Sequence, residues 1–152
     1  MTSIDDVILK DCKRFIPNIK YGKVVKVYDG DTITIATKFM NDDNFYKFSV
    51  RLRNIDTPEL RSKDSNERLC AKCARHFLAG LILNTVVTLK NVDYDKYGRI
   101  LADIYLEETN ICDLMIKEKV AIQYSGGKKN SNFDWYTFYN ENEWVKTINM
   151  MP

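Results

Sequence analysis

Histidine is scarce in this sequence: a single one occurs among 152 residues, which excludes a catalytic site built on a histidine pair. The sequence also lacks an uninterrupted apolar run of about 18 residues, the length that a membrane-spanning helix requires. The amino terminus, MTSIDDVILKDCKRF, has acids where a secretory signal has a basic segment followed by an apolar one. These absences predict an intracellular protein with no membrane partner.

Cysteine is also infrequent, and the four cysteines, at positions 12, 70, 73 and 112, are expected to be free thiols in an intracellular protein. Cys70 and Cys73 form a Cys-x-x-Cys pair near His76, which is half of a zinc ligand set. Both cysteines nevertheless fall at the centre of the apolar face of a predicted helix, and His76 falls at its edge. This placement favours buried thiols over zinc ligands.

The length of the chain suits one domain with one continuous core, so residues 1–152 are predicted to form a single domain. The formal net charge is only +2, but residues 51–100 contain ten Lys or Arg against six Asp or Glu. An excess of basic residues in this central segment, with acidic residues between them, is suited to binding a polyanion beside a metal ion.

Alternating apolar and β-branched residues predict five strands, at residues 23–28, 32–37, 46–54, 86–92 and 100–106. Asp29-Gly30 is predicted to form the turn between the first two strands, with a positive φ at Gly30. The cluster at residues 41–44 predicts a loop before the third strand.

Two helices are predicted. Residues 66–83 form the main one, because at about 100° per residue one face collects Leu69, Cys70, Cys73, Ala74, Phe77, Leu78 and Leu81. Asn110 with Asp113 is typical of a helix start and predicts a second helix through Glu118. The fold class is therefore α+β and mainly β: a five-stranded barrel with two to three packed helices, flanked by an arm at residues 1–20 and an aromatic tail at residues 131–152.

Three short motifs carry chemistry. The first, Asp29-Gly30-Asp31-Thr32, lies at a strand end, where two carboxylates can approach one point and bind a hard cation such as calcium. Taken alone, the tetrapeptide is more typical of an ordinary turn than of a cation site.

The second motif combines Arg51, on the third strand, with Asp56-Thr57-Pro58-Glu59 at the end of that strand. Pro58 fixes its own φ and holds Thr57 extended, which gives a rigid corner for the two acids. A carboxylate that is not fully committed to a metal could accept a proton from water, and Glu59 is the candidate for this general base.

The third motif is Asp95-Lys96-Tyr97-Gly98-Arg99, between the last two predicted strands. Guanidinium groups bind phosphate oxygens in pairs and stabilise the extra charge of a five-coordinate phosphorus. Arg51 and Arg99 are candidates for the two arginines that would flank one phosphodiester.

These motifs, in this order and with a helix before the last one, resemble the staphylococcal nuclease (thermonuclease) family over about residues 22–129. The resemblance implies an OB-fold barrel (the oligonucleotide-binding fold) and calcium as the cofactor. It implies calcium ligands at Asp31, Asp56 and the Thr57 carbonyl, with Asp29 behind them. It also places the phosphate-binding arginines at Arg51 and Arg99, and the general base at Glu59.

By the same resemblance, Lys96, Tyr97 and Tyr124 contact the substrate, the first two through a phosphate and the third near a base. The implied reaction is hydrolysis of DNA and RNA, preferably single-stranded, by a monomer that expels the 5′ oxygen and leaves 3′-phosphate products.

The segment from Asp31 to Arg51 is longer than in the secreted bacterial enzyme, which predicts an extended second hairpin. The run at residues 124–129 is more similar to members from large DNA viruses and bacteria than to the secreted form. It indicates an intracellular or viral origin and, for a viral protein, the cytoplasm of the infected host cell.

Several features have alternative interpretations. A barrel that binds nucleic acid without cleaving it is one alternative function, and a calcium-responsive interaction module is another. Lys128 and Lys129 are candidates for phosphate contacts. Arg68, Lys72 and Arg75 are expected to form a solvated helix face rather than a nucleic-acid track. The aromatic tail is expected to pack against the barrel as a short helix rather than to stack on bases.

Overall fold

The polypeptide alternates short strands with three α-helices in a computed structural model that describes residues 2–142. The strands are β1 (Tyr21–Val27), β2 (Thr32–Thr37), β3 (Tyr46–Leu52), β4 (Ile55–Asp56), β5 (Val86–Tyr94), β6 (Ile100–Leu106), β7 (Thr109–Asn110) and β8 (Ile122–Gln123). The helices are α1 (Ser65–Ile82), α2 (Ile111–Lys117) and α3 (Trp135–Asn140).

Five strands close into a barrel. Antiparallel pairing runs in the order β3-β2-β1-β5-β6, and a parallel pairing of β3 with β6, in which Val50 lies opposite Ile100, closes the ring. Closure leaves these strands without a long free edge, which protects them from pairing with other chains. The predicted α+β, mainly β, five-stranded OB-fold barrel with two to three packed helices is confirmed.

The third strand ends earlier than the sequence pattern predicts, at Leu52 rather than at residue 54. Asn54 has a left-handed backbone with φ of 63°, a conformation that asparagine tolerates better than most residues. The chain turns there and resumes as β4, which pairs with β8 so that Asp56 lies opposite Ile122. The turn therefore directs the Asp56-Glu59 corner away from the barrel wall and toward the later part of the chain.

The main helix confirms the prediction from apolar periodicity, with boundaries shifted by one residue. The Asp64 side chain accepts a hydrogen bond from the Asn66 backbone N–H at 2.9 Å and caps its start. The apolar face is buried against the barrel, and Cys70 and Cys73 are fully buried free thiols, as predicted. On the opposite face Lys72 and Arg75 are exposed, whereas Arg68 binds the carbonyls of Ser62 and Lys63 before the helix.

The second helix begins where Asn110 predicts, because its side chain accepts hydrogen bonds from the backbone N–H groups of Cys112 and Asp113. The aromatic tail forms α3 and packs on the core, with Trp135 and Tyr139 buried. The Tyr139 hydroxyl donates to the Val120 carbonyl at 2.6 Å. The predicted packing of this segment is confirmed for residues 133–139, and Trp144 lies outside the described residues.

The amino-terminal arm has two short 3-10 turns, Ile4–Asp6 and Leu9–Asp11, with exposed side chains. It is tied to the barrel by Arg14, whose guanidinium lies 2.8 Å from Asp93 and donates to the Tyr94 carbonyl at 3.1 Å. None of the helices within residues 2–142 is long and apolar enough to cross a membrane.

Gly30 is required for space rather than for backbone conformation. The predicted positive φ at Gly30 is wrong: the glycines with positive φ are Gly98, Gly126 and Gly127. A Cβ atom on Gly30 would instead lie 2.7 Å from the Ala74 Cβ and 2.9 Å from the Thr57 Cβ. The Asp29-Gly30-Asp31 turn thus packs directly against both α1 and the corner after β4.

We expect Gly30→Ala to lower the free energy of unfolding by about 1–3 kcal/mol, because the new methyl group forces α1 and Thr57 apart. Gly80→Ala is the matched control, since a Cβ there meets no atom within 4 Å and alanine favours a helix. Urea denaturation of both variants provides the measurement. A Gly30→Ala protein as stable as the wild type would show that this close contact is not limiting.

Candidate active site

The first acid of the site is positioned by strand register. In the β2–β3 pairing Thr32 lies opposite Arg51, so Asp31, at the start of β2, lies beside the Arg51 side chain. The Arg51 Nη2 atom is 3.3 Å from the Asp31 Oδ2 atom, and both side chains are about nine-tenths buried. A buried ion pair of this kind needs further hydrogen bonds to offset the loss of solvation.

Those hydrogen bonds come from the backbone of the following turn. Arg51 donates through Nη1 to the Leu52 carbonyl at 2.6 Å and through Nη2 to the Ile55 carbonyl at 2.9 Å. The Thr57 hydroxyl donates to Asp31 Oδ2 at 2.9 Å. Asp31, Arg51 and the β3–β4 turn therefore form one connected unit at one end of the barrel.

Asp56 completes the buried charge cluster and is poorly satisfied within it. Its Oδ1 atom is buried and accepts no hydrogen bond within the described part of the chain. The two cations near this oxygen are Arg51 Nη2 at 3.9 Å and Lys129 Nζ at 2.9 Å, the latter an ion pair outside hydrogen-bond geometry. A buried carboxylate oxygen without a donor is costly unless a cation binds it.

Glu59, the predicted general base, lies at the open side of the cluster and its side chain is 59% exposed. Within residues 2–142 its side chain pairs with Lys129, whose Nζ atom donates to Glu59 Oε1 at 3.4 Å. Burial lowers the pKa of Lys129, but the carboxylates of Asp56 and Asp31 outweigh this effect and raise it overall. Lys129 therefore carries a full positive charge into the acid cluster.

Asp29 lies behind these groups, and its Oδ1 atom accepts a hydrogen bond from the Asp31 backbone N–H at 3.1 Å. Burial and the nearby negative charge of Asp31 raise the pKa of Asp29 from 3.8 to about 7. Because a cation favours the ionised form of a nearby acid, a cation bound at this cluster would oppose that shift.

The third motif forms a turn between β5 and β6. The Asp95 carboxylate accepts from the backbone N–H groups of Tyr97 and Arg99 at 2.8 and 2.9 Å, and it pairs with Arg99 Nε at 2.6 Å. The Arg99 guanidinium also lies over the Tyr97 ring, 5.4 Å from its centroid. Among residues 2–142 the terminal nitrogens of Arg99 form no hydrogen bond, which leaves them available to a ligand.

One cleft of about 920 Å³ joins these parts. The predicted site residues that line it are Asp31, Arg51, Glu59, Lys96, Tyr97, Arg99 and Tyr124. The remaining two, Asp56 and Thr57, are not part of the lining but contact it through Arg51, Lys129 and Asp31. Segments that are far apart in sequence are thus brought to one surface.

Of the three predicted substrate-binding residues, Tyr124 has both its backbone N–H and its side-chain hydroxyl in hydrogen bonds within the protein. Its backbone N–H donates to the Asn54 carbonyl at 2.9 Å, and its hydroxyl donates to the Gly127 carbonyl. Tyr124 therefore holds the loop at residues 125–129, which carries Lys129. The contribution of Lys129 to the acid cluster follows from β8 pairing and this loop, and the sequence signal for it was a pair of glycines followed by two lysines.

The donor set fits a hard cation with few protein ligands. No group of three or more His, Cys, Asp or Glu side chains within residues 2–142 forms a metal-binding cluster. Calcium, however, takes about six to eight oxygen ligands and accepts carbonyl, water and substrate oxygens beside carboxylates. Asp31 and the orphan Asp56 oxygen supply two such carboxylates at the same cluster.

The cysteines play no part in this cleft. Burial raises the pKa of Cys70 to about 12 and of Cys73 to about 11, so both thiols stay protonated and unreactive. His76 is exposed on the other side of the helix surface. The prediction that Cys70 and Cys73 are buried free thiols is confirmed.

Comparison with known proteins gives three informative relatives. The chain is 32% identical over 128 residues to an uncharacterized endonuclease of Haemophilus influenzae, an alignment that covers 84% of this chain and 64% of the relative. It is 30% identical over 105 residues to an uncharacterized endonuclease of Escherichia coli, covering 68% and 61%. It is 30% identical over 129 residues to a micrococcal nuclease of Shigella flexneri, covering 79% and 67%.

The chain spans about three fifths of the length of the first two of these relatives. The family model described as staphylococcal nuclease homologue matches residues 49–143, which include Arg51, the Asp56-Glu59 corner and Arg99. The chain therefore belongs to the staphylococcal nuclease homologue family.

Proposed function

We propose that this chain is a calcium-dependent, sugar-nonspecific nuclease that hydrolyses phosphodiester bonds of DNA and RNA to 3′-phosphate products. The observation that carries the proposal is the shared cleft, which brings the acids Asp31 and Glu59 to one surface with an arginine, Arg99, whose terminal nitrogens are free. Family membership and the relatives named as endonucleases support it.

The two arginines have different roles. Arg51 is buried and fixed by two backbone carbonyls, so it supplies a preorganised positive charge beside Asp31 and Asp56. Arg99 is held at Nε alone and keeps its two terminal nitrogens for the phosphate oxygens. Two guanidinium groups bound to the phosphate stabilise the negative charge that develops at phosphorus in the transition state.

Glu59 is placed to remove a proton from the attacking water. Its side chain is 59% exposed and lines the cleft rather than lying buried in the cluster, so solvent water reaches it. As the water oxygen bonds to phosphorus, its proton passes to Glu59 and the bond from phosphorus to the 5′ oxygen breaks. The departing 5′ oxygen takes a proton from solvent water in the open cleft. The products are a 3′-phosphate and a 5′-hydroxyl.

The cation would be held by Asp31, Asp56 and the Thr57 carbonyl. When bound, calcium supplies Lewis acidity and neutralises charge on the phosphate. Asp29, directly behind Asp31, adds negative charge that strengthens cation binding once it is ionised.

The substrate is recognised mainly through its backbone. Lys96 and Tyr97 line the cleft beside Arg99 and are placed to contact a neighbouring phosphate, and Tyr124 lines its opposite part. Phosphate contacts position a nucleic acid without reading its sequence, so cleavage is expected to be nearly sequence-independent. The proposed substrate is preferably single-stranded, and the proposed active form is an intracellular one-domain monomer.

Removal of the metal ion tests the proposal directly. Purified protein is incubated with end-labelled single-stranded DNA or RNA in calcium chloride or in chelator, and fragment length is followed by gel electrophoresis. We expect fragmentation in calcium with 3′-phosphate ends, and none in chelator. Intact strands that are retained in a gel shift under both conditions would instead favour a noncatalytic binding barrel.

We expect Glu59→Gln to slow cleavage by about 100-fold, because the amide cannot accept the proton of the attacking water. Glu59 is exposed, so the variant should unfold at the wild-type temperature. Glu108→Gln, an exposed residue outside the cleft, is the control for loss of one negative charge. Cleavage by folded Glu59→Gln at the wild-type rate would remove Glu59 from the role of base.

Substitution of each arginine by lysine should distinguish the role of Arg51 from that of Arg99. Arg99→Lys is expected to slow cleavage by about 100-fold with little loss of stability, because its ion pair with Asp95 is partly exposed. Arg51→Lys should slow cleavage and also lower the free energy of unfolding by about 2–4 kcal/mol, since two buried carbonyls lose their donors.

Cleavage kinetics and urea denaturation of the two variants provide the comparison. If Arg99→Lys were destabilised as strongly as Arg51→Lys, Arg99 would be a structural residue rather than a ligand of the phosphate.

A further inference from the structure

Lys129 brings a positive charge to the oxygens that a metal ion would need. Its Nζ atom lies 2.9 Å from Asp56 Oδ1 and 3.4 Å from Glu59 Oε1. The Lys129 side chain is 37% exposed, whereas Asp56 is 10% exposed. The ammonium group therefore reaches from the solvent side, past the exposed Glu59, to the buried Asp56 carboxylate.

Charge compensation explains why Asp56 depends on this lysine. Arg51 lies closer to Asp31, at 3.3 Å, than to Asp56, at 3.9 Å, and each of its terminal nitrogens also donates to a backbone carbonyl. Asp56 Oδ1 has no hydrogen bond to reduce the cost of its burial. Lys129 is thus the nearest positive charge to that oxygen within the described part of the chain.

The loop that carries Lys129 is held by Tyr124, whose backbone bonds to Asn54 and whose hydroxyl bonds to the Gly127 carbonyl. Pairing of β8 with β4 and the bond from Tyr124 N–H to Asn54 fix the start of the loop beside Asp56. Gly126 and Gly127 then adopt φ values of 94° and 84°, and residues 125–128 are exposed. Such a loop can deliver the lysine to Asp56 and can withdraw it without unpacking the core.

We infer that Lys129 is an internal competitor of the divalent cation, occupying Asp56 and Glu59 in the metal-free protein and leaving them when the cation binds. This inference rests on the proposed function, since it assumes that the cation site is the one named there. A divalent ion replaces the lysine with a higher charge, whereas a monovalent ion offers no gain. Lys129 therefore sets both the affinity of the site and its preference for divalent ions.

Competition predicts a change in calcium affinity that can be measured without any cleavage. In isothermal titration calorimetry of the full chain with calcium chloride, Lys129→Met should bind calcium about tenfold more tightly than the wild type, because the competing charge is gone. Lys129→Arg should resemble the wild type. Lys128→Met is the matched control, with the same charge change on the neighbouring exposed residue, and its affinity should change less than about threefold.

Thermal unfolding gives a second readout. In chelator, Lys129→Met should unfold about 2–4 °C below Lys128→Met, because Asp56 loses its partner, and saturating calcium chloride should close this gap. A gap that persists in calcium would show that Lys129 has a structural role that is independent of the cation.

Four outcomes would overturn the inference. Equal tightening in Lys128→Met and Lys129→Met would mean that only the general charge of the loop matters. Weaker calcium binding by Lys129→Met would mean that the lysine supports the site. Absence of calcium binding and of calcium-dependent cleavage in the wild type would overturn the proposed function as well, whereas wild-type cleavage with unchanged affinity in Lys129→Met would overturn the competition alone.

Discussion

The buried guanidinium of Arg51 is the contact on which the rest of the site depends. It joins the start of β2, through Asp31, to the turn after β3, through the carbonyls of Leu52 and Ile55. Without it, the acids at the two strand ends would repel each other inside a poorly solvated corner. The same residue thus holds together a structural junction and forms part of the proposed phosphate site, so the proposed function would couple stability and activity at this position.

The remaining cations are arranged around this fixed point with decreasing constraint. Arg99 is held by Asp95 at one nitrogen, and Lys129 is held by two carboxylates on a glycine-containing loop. A fixed Arg51 with less constrained cations around it suits a ligand that carries repeated phosphates. Arg99 and Lys129 can adjust to neighbouring phosphates while Arg51 keeps its position. The constraint on each cation follows its burial. The Arg51 side chain is 8% exposed and makes the most contacts, whereas Arg99 and Lys129 are 35% and 37% exposed and make fewer.

The barrel and most of the site could be predicted from the sequence. Strand alternation and helix periodicity are local, so β2, β6 and α1 were predicted within a residue, and the Asp56-Glu59 corner was fixed by Pro58. Two features escaped prediction because they depend on contacts between distant segments. Glycine is required at position 30 because α1 packs against it, and not because the backbone there has a positive φ. Lys129 enters the acid cluster through β8, a two-residue strand too short to give a periodic signal.

Closure of the barrel imposes an order on the appearance of the site during synthesis. The parallel pairing of β3 with β6 joins Val50 to Ile100, so Arg51 remains on an open sheet edge until β6 has been made. The Asp56 corner is completed later still, because its strand, β4, pairs with β8. A growing chain on the ribosome therefore carries the individual acids and arginines without the assembled cleft, which forms only after β8 has been made.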